Sequence, residues 1–128
     1  MDSTSTHKTL VKLLAATEKL RMLDVEMPMQ VASCFLFIAI NEGCNQIDLV
    51  ADLDMTEASV SRCTSWLSGY HRSNPNRGLN LVSKSIDLTN RRKRILVLTP
   101  NGKKLAKELF HTLLSLIHIS EPTRLGFI

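Results

Sequence analysis

One stretch of the sequence decides the fold, Leu49-Val-Ala-Asp-Leu-Asp-Met-Thr-Glu-Ala-Ser-Val-Ser-Arg62. Its apolar residues recur at helical spacing on both sides of a short break, because only Asp54-Met55 separates the first helical pattern from Thr56. Threonine is a favoured N-cap, so a second helix is predicted from Glu57 to about Tyr70. Two helices joined by so tight a turn indicate a helix-turn-helix.

The residues before this stretch predict further helices. A first helix is predicted from about residue 7 to residue 23, and Pro28 is expected among the first residues of the next helix, which Gly43 would end. The helix that enters the stretch begins at Asn45, and Asn45 and Asp48 have the spacing of a capping-box variant. The residues predicted to face the core are Val31, Cys34, Phe35, Ile38 and Ala39 of one helix and Ile47, Leu49, Val50 and Leu53 of the other.

The residues after the stretch differ in composition. Residues 71–80 carry turn-forming residues and predict a loop, and Leu81–Ile86 and Arg94–Leu98 predict two strands of a hairpin. Thr99-Pro100 opens a last helix, in which Leu105, Leu109 and Phe110 are predicted to face inward. The fold class is therefore mainly α with a small β-hairpin, a winged helix-turn-helix flanked by N- and C-terminal helices. We expect one such domain over residues 1–113.

Positive charge is concentrated near the hairpin. Up to Asn80 the sequence has seven Lys and Arg against nine Asp and Glu, whereas from Leu81 to Leu113 it has eight against two. A basic excess confined to one short region indicates a face that binds a polyanion. A helix fits the major groove of B-DNA, and a hairpin can place cations on phosphates or in the minor groove, so this architecture favours DNA.

The second helix of the pair supplies the first set of candidate DNA contacts. Arg62 can reach a phosphate or a guanine edge, or it can form a plain surface salt bridge. Glu57 can accept a hydrogen bond from a cytosine amine, or it can serve only as a favourable charge in the first helical turn. The complete set of candidates is Thr56, Glu57, Ser59, Ser61, Arg62 and Ser65.

The hairpin supplies the second set, Arg91, Arg92 and Lys93, which run directly into Arg94. Strand alternation sends these side chains to both faces, so two or three of them can meet DNA together. A solvated edge that discourages strand pairing and a nuclear-import signal are the other interpretations of such a run. The neighbouring helix-turn-helix pattern favours contact with DNA.

Two segments together resemble the MarR-type winged-helix transcriptional regulators, in variants from phage and mobile-element genomes. Residues 49–62 are similar to their helix-turn-helix. Residues 87–102 are similar to their wing, with an Asp…Arg-Arg tip, a Leu-Thr strand end and a following glycine. The resemblance covers Val31 to Leu109.

The resemblance implies a sequence-specific regulator of transcription, with repression as the expected mode of action. The residues that it places in the major groove are Ser59, Ser61 and Arg62. It places Arg91 or Arg92 at the minor groove, where Asp87 would orient the arginine through a charge-assisted hydrogen bond. It further implies a homodimer that reads an inverted repeat through intertwined terminal helices, and it leaves a small-molecule effector open.

Two departures from the pattern of these regulators bear on geometry. Asp54 occupies a turn position where they often have glycine, and aspartate tolerates the left-handed conformation required there. The loop over residues 71–80 is longer than usual, which leaves the distance between the wing and the recognition helix open. A protein-interaction module and an accessory factor in replication or recombination are the alternative functions.

The sequence shows no motif of an enzyme, a cofactor site or a metal site. Cys34, Cys44 and Cys63 are unevenly spaced, and none pairs with a histidine at zinc-ligand spacing. Cys34 and Cys63 are predicted in the core, whereas Cys44 lies at a helix start, where the dipole can lower the pKa of a thiol and allow oxidant sensing. The longest apolar run, Val31–Ile40, is too short to cross a bilayer, and a cytoplasmic protein is expected.

The last residues resemble something other than protein sequence. Residues 114–124 match, at consecutive positions, the in-frame translation of an adapter used to prepare DNA sequencing libraries. We therefore expect residues 114–128 to be a non-native tail and give His118 no functional role.

Overall fold

Five helices and one antiparallel hairpin form the described part of the computed structural model, which covers residues 3–69, 78–86 and 94–114. The elements in chain order are α1 (Ser3–Leu23), α2 (Met29–Ile40), α3 (Gln46–Leu53), α4 (Glu57–Leu67), β1 (Val82–Ile86), β2 (Arg94–Leu98) and α5 (Pro100–Leu114). This order confirms the predicted fold class. The described residues divide into two compact units, one with α1 and residues 107–114 of α5, the other within the range Pro28 to Ala106.

The first unit contains α1, which begins four residues earlier than predicted, at Ser3. Ala16 is the buried residue of α1, so most of its apolar side chains face outward. The exposed apolar residues of α1 are Leu10, Leu13, Leu14, Met22 and Leu23. Among the residues from Lys107 onward, Leu109 is buried, but the prediction that Phe110 faces inward is wrong, because its side chain is 57% exposed. Successive helical residues point about 100° apart, so burial of Leu109 turns Phe110 away.

The second unit has a core built from α2, the helix pair α3–α4 and the hairpin. From α2, Val31, Cys34, Phe35 and Ile38 are all at most 1% exposed, as predicted. The other fully enclosed apolar side chains are Leu49, Val60, Leu67, Val82 and Leu96. The prediction for Ile47 is wrong, because this side chain is 74% exposed. Residues two apart on a helix point about 200° apart, so burial of Leu49 directs Ile47 to solvent.

Side-chain caps fix where α3 and α4 begin, as the sequence predicts. Asn45 accepts a hydrogen bond from the backbone N–H of Asp48, and the Asp48 carboxylate accepts one from the N–H of Asn45, both at 3.0 Å. Thr56 accepts from the N–H of Ser59 at 3.1 Å. Between the helices, Asp54 adopts a left-handed conformation with φ 52°, which turns the chain within two residues.

The hairpin β1–β2 pairs Val82 with Leu98 at one end and Ile86 with Arg94 at the other. It is joined to the helix pair by backbone bonds that the sequence analysis missed. The N–H of Gly43 donates to the carbonyl of Leu96 at 2.9 Å, and the N–H of Leu96 donates to the carbonyl of Cys44 at 2.7 Å. Because Asn45 caps α3 directly after this bridge, β2 is hydrogen-bonded to the chain where the helix-turn-helix begins.

The end of α4 is hydrogen-bonded to the residues that precede β1. Helix α4 ends at Leu67 rather than near Tyr70, and backbone N–H groups of residues 79–81 bond to carbonyls at its end. These bonds run from Leu79 to Trp66 (3.1 Å), from Asn80 to Ser68 (3.0 Å) and from Leu81 to Leu67 (2.8 Å). Asn80 reaches this position with φ 54°.

Close backbone contact joins the start of α5 to the start of the hairpin. A Cβ atom on Gly102 would clash with the carbonyl oxygen of Leu81, so only glycine fits. The Thr99 hydroxyl accepts from the N–H of Gly102 at 3.0 Å and donates to the carbonyl of Asn80 at 2.6 Å. The predicted N-cap at Thr99 is therefore confirmed, and it also holds the chain that enters β1.

Candidate nucleic-acid interface

The outward face of α4 consists of small polar side chains around one arginine. Burial of Val60, Cys63, Thr64 and Leu67 on the opposite face sets this orientation. Thr56, Glu57 and Arg62 are exposed, and Ser59, Ser61 and Ser65 are half-buried. Of the six predicted candidates, Thr56, Glu57 and Arg62 are therefore open to solvent, whereas the three serines are partly covered. Small side chains let a helix backbone approach a base edge closely.

A polar contact inside the core fixes the position of α4 relative to α3. The Gln46 amide donates to Thr64 Oγ1 at 3.0 Å, and the Thr64 hydroxyl donates to the carbonyl of Ser61 at 3.0 Å. Thr64 is 1% exposed, and a buried hydroxyl must be hydrogen-bonded to be tolerated. Sequence reasoning missed this bond, although a single hydroxyl among the apolar positions of α4 could have pointed to it.

Hydroxyl groups connect the start of α4 to its arginine. The Thr56 hydroxyl donates to Ser59 Oγ at 2.9 Å, and Arg62 Nη2 donates to the same oxygen at 3.2 Å. Within residues 3–69, 78–86 and 94–114, Arg62 forms no ion pair. The geometry thus gives no support to a surface salt bridge for Arg62. Its guanidinium keeps most of its N–H donors available for a phosphate or a base.

An open groove of about 460 Å³ lies beside this face, between the start of α2 and α4. Pro28, Gln30 and Val31 line one side, and Ser61, Arg62, Ser65 and Trp66 are among the residues of the other. Arg62 gives the groove its positive charge. A negatively charged partner that meets α4 therefore finds open space next to the guanidinium.

The described part of the hairpin adds two exposed cations, Lys84 on β1 and Arg94 on β2. Lys84 pairs with Leu96 and Arg94 pairs with Ile86, so both cations belong to the same face of the hairpin. Sequence reasoning missed Lys84 because this residue lies outside the consecutive basic run. The alternation of side chains along the two predicted strands could have placed Lys84 on the same face of the hairpin as Arg94. The predicted contacts Arg91, Arg92 and Lys93 and the predicted orienting residue Asp87 lie outside the described residues.

The three cysteines are free, buried thiols. Cys34 and Cys63 lie in the core as predicted, and the Cys34 thiol donates to Met55 Sδ at 3.8 Å. The neighbouring Cys63 thiol, together with burial, raises the pKa of Cys34, whereas the Cys34 thiol lowers the pKa of Cys63. The expectation of a lowered pKa at Cys44 is wrong, because burial and the Asp48 carboxylate raise it. The neutral thiol that results is poorly suited to oxidant sensing.

Other kinds of site find no support in the part of the chain that the structure describes. These residues contain no group of three or more His, Cys, Asp or Glu side chains placed to hold a metal ion. None of the helices there combines the length and the apolar character needed to cross a membrane.

Several solved structures are similar in fold to this chain. The chain is similar to MepR of Staphylococcus aureus in a complex with DNA, with a TM-score of 0.63 and 19% identity over 88% of this chain and 83% of MepR. It is also similar to the transcriptional regulator Tm0710 of Thermotoga maritima, with a TM-score of 0.64 and 18% identity over 89% of this chain and 72% of that protein. A third similar structure is a MarR-like transcriptional regulator of the same organism, Tm0816, with a TM-score of 0.59 and 22% identity over 99% and 92% of the two chains.

The sequence alone does not reveal these relationships by direct comparison. No protein-family model matches the chain, and no curated protein is significantly similar to it in sequence. The similarity to the solved structures is therefore one of fold. It confirms that the chain has the winged helix-turn-helix fold found in MarR-like regulators.

Proposed function

We propose that the chain is a sequence-specific double-stranded DNA-binding regulator of transcription, and that it acts as a repressor. The observation that carries this proposal is the outward face of α4, where Arg62 lies among short side chains and has no acidic partner among the described residues. In this proposal α4 enters the major groove, and Arg62 contacts a guanine edge or a phosphate. MepR, which has the same fold, has been solved in a complex with DNA.

The wing supplies the electrostatic part of the proposed interface. Arg91 or Arg92 would enter the minor groove with Asp87 as the orienting carboxylate, while Lys93 would contact phosphate. The exposed Lys84 and Arg94 extend the same positive surface along the strands. Phosphate contacts release counterions, so they raise affinity for every sequence and weaken with added salt.

The acting species would be a homodimer. The exposed leucines of α1 are the apolar surface that supports association, and a dimer with two α4 helices would read an inverted repeat. In this proposal the protein binds DNA and catalyses no reaction, and it acts in the cytoplasm. A small-molecule effector is compatible with this role.

Binding of the full chain to a randomised duplex library at two salt concentrations, with sequencing of the retained DNA, tests the proposal. We expect an enriched inverted repeat at both concentrations. Binding without enrichment that disappears at the higher salt concentration would reduce the function to phosphate binding. A folded protein that retains no DNA would contradict the proposal and favour a protein-interaction module.

The wing assignment has its own test, in the double variant Arg91→Gln/Arg92→Gln. We expect weaker binding to all duplexes and a smaller salt slope, since a wing with fewer cations releases fewer counterions from the DNA. Unchanged DNA binding would overturn the assignment of these arginines.

A further inference from the structure

We propose that Ser59 is a positioning residue, which acts by holding the guanidinium of Arg62 and not by contacting a base itself. The inference rests on the proposed function, since it concerns how α4 discriminates among DNA sequences. It assigns to Ser59 a role different from the major-groove contact that the sequence resemblance implies.

The hydrogen bonds around Ser59 Oγ carry the inference. This oxygen receives the Thr56 hydroxyl at 2.9 Å and Arg62 Nη2 at 3.2 Å. A serine hydroxyl has two acceptor lone pairs and one O–H donor, so both acceptor positions of Ser59 are occupied within the protein and only its O–H group could still meet a base. Ser59 is half-buried, whereas Arg62 is exposed. The hydroxyl therefore lies behind the guanidinium and serves as its anchor.

Anchoring matters because arginine is a long, flexible side chain. A free guanidinium samples many rotamers and must be ordered when it binds, whereas a guanidinium held at one N–H group is partly ordered beforehand. A bidentate contact with guanine demands a defined orientation, but a salt-dependent phosphate contact tolerates several. Loss of the anchor should consequently reduce discrimination between sequences more than it reduces affinity for DNA in general.

The local structure allows this role to be separated from the role of the helix cap. Thr56 caps α4 through the backbone N–H of residue 59, at 3.1 Å, and that bond does not involve the Ser59 side chain. Ser59→Ala therefore removes the anchor and keeps the cap. Ser59→Thr restores a hydroxyl at the same place. Ser33→Ala is a matched control, because Ser33 is an exposed serine within α2, outside the proposed interface.

The test measures binding of the full chain to the duplex enriched from the library and to a scrambled duplex, at two KCl concentrations. We expect Ser59→Ala to lower the ratio of the two affinities by about threefold to tenfold, as for loss of one hydrogen bond to a charged group. The salt slope and the thermal midpoint should stay at the wild-type values. Ser59→Thr should recover the ratio, and Ser33→Ala should leave it unchanged.

A double-variant cycle with Arg62→Ala decides between positioning and direct contact. If Ser59 acts through Arg62, Ser59→Ala should have no further effect on discrimination once the arginine is gone. A full additional loss in the Arg62→Ala background would overturn the proposal and restore a direct base contact for Ser59. An unchanged ratio in Ser59→Ala alone would overturn it as well.

The same data distinguish failure of this inference from failure of the proposed function. If the wild-type chain binds the enriched and the scrambled duplex equally, the sequence-specific function is wrong, and the inference falls with it. If the wild type discriminates and Ser59→Ala discriminates equally well, only the positioning role is wrong.

Discussion

The helix pair α3–α4 and the hairpin β1–β2 meet in one core but are held by different kinds of interaction. Side chains define the helix pair, through the caps at Asn45 and Thr56 and the buried bond between Gln46 and Thr64. The hairpin depends on backbone pairing, on the bridge between Cys44 and Leu96, and on buried aliphatic residues.

The difference matches the two tasks of the proposed interface. Discrimination between bases requires donors and acceptors in fixed places, and the helix pair fixes them with named side-chain bonds. Attraction to phosphate requires charge with little geometric precision, and the hairpin exposes Lys84 and Arg94 for it. Variants in the two regions should therefore fail in different ways.

The largest effects should come from paired core truncations, Leu49→Ala in α3 and Leu96→Ala in β2. Their side chains are 0% and 2% exposed, so each variant should lose about 2–5 kcal/mol of unfolding free energy. Urea unfolding followed by circular dichroism measures both. If Leu96→Ala has the same urea midpoint as the wild type, the two regions do not share one core, because the hairpin would then unfold separately from the helix pair.

Arg62→Ala should come next, with about 1–3 kcal/mol of binding free energy lost on the enriched duplex if the guanidinium reads a base. Its unfolding free energy should change by no more than about 0.5 kcal/mol, since the side chain is exposed. Arg62→Lys keeps the charge but not the planar fork, so it should lose discrimination while keeping the salt slope. If Arg62→Ala loses the same binding free energy on all duplexes, Arg62 contacts a phosphate and not a base.

Asn45→Ala should cost about 1 kcal/mol of stability, because it removes the side-chain acceptor of the capping box at α3. Thermal unfolding measures the change. The matched control is Asn101→Ala, at an exposed position inside α5, which should not destabilise the protein. Equal midpoints for Asn45→Ala and wild type would mean that packing alone defines the start of α3.

The smallest effect should come from Lys84→Gln on β1. It should weaken binding equally for all duplexes and lower the salt slope by about 1, with the unfolding free energy unchanged within about 0.5 kcal/mol. Lys19→Gln on α1 removes the same charge from an exposed position and serves as control. A sequence-dependent loss for Lys84→Gln would contradict the division of tasks between the two regions.

The sequence predicted what short-range chemistry determines. The capping box at Asn45, the left-handed turn at Asp54 and the proline-initiated α5 each follow from residues a few positions apart. The outward face of α4 could be predicted as well, because the residues buried on one face of a helix determine which residues lie on the opposite face.

Long-range contacts were less accessible to sequence reasoning. The bridge from Cys44 to Leu96 and the bond from Gln46 to Thr64 join residues that only the folded chain brings together. The exposure of Ile47 shows a further limit, since an apolar residue in a helical pattern need not belong to its buried face. The anchor at Ser59 depends on a rotamer, which composition and spacing do not encode.

The backbone hydrogen bonds between the end of α4 and residues 79–81 have a consequence for how the protein can change in evolution. Because residues 66–68 and 79–81 are bonded directly to each other, these bonds set the distance from α4 to β1. Helix and hairpin should therefore keep their relative positions in homologous sequences that differ in length between these two segments.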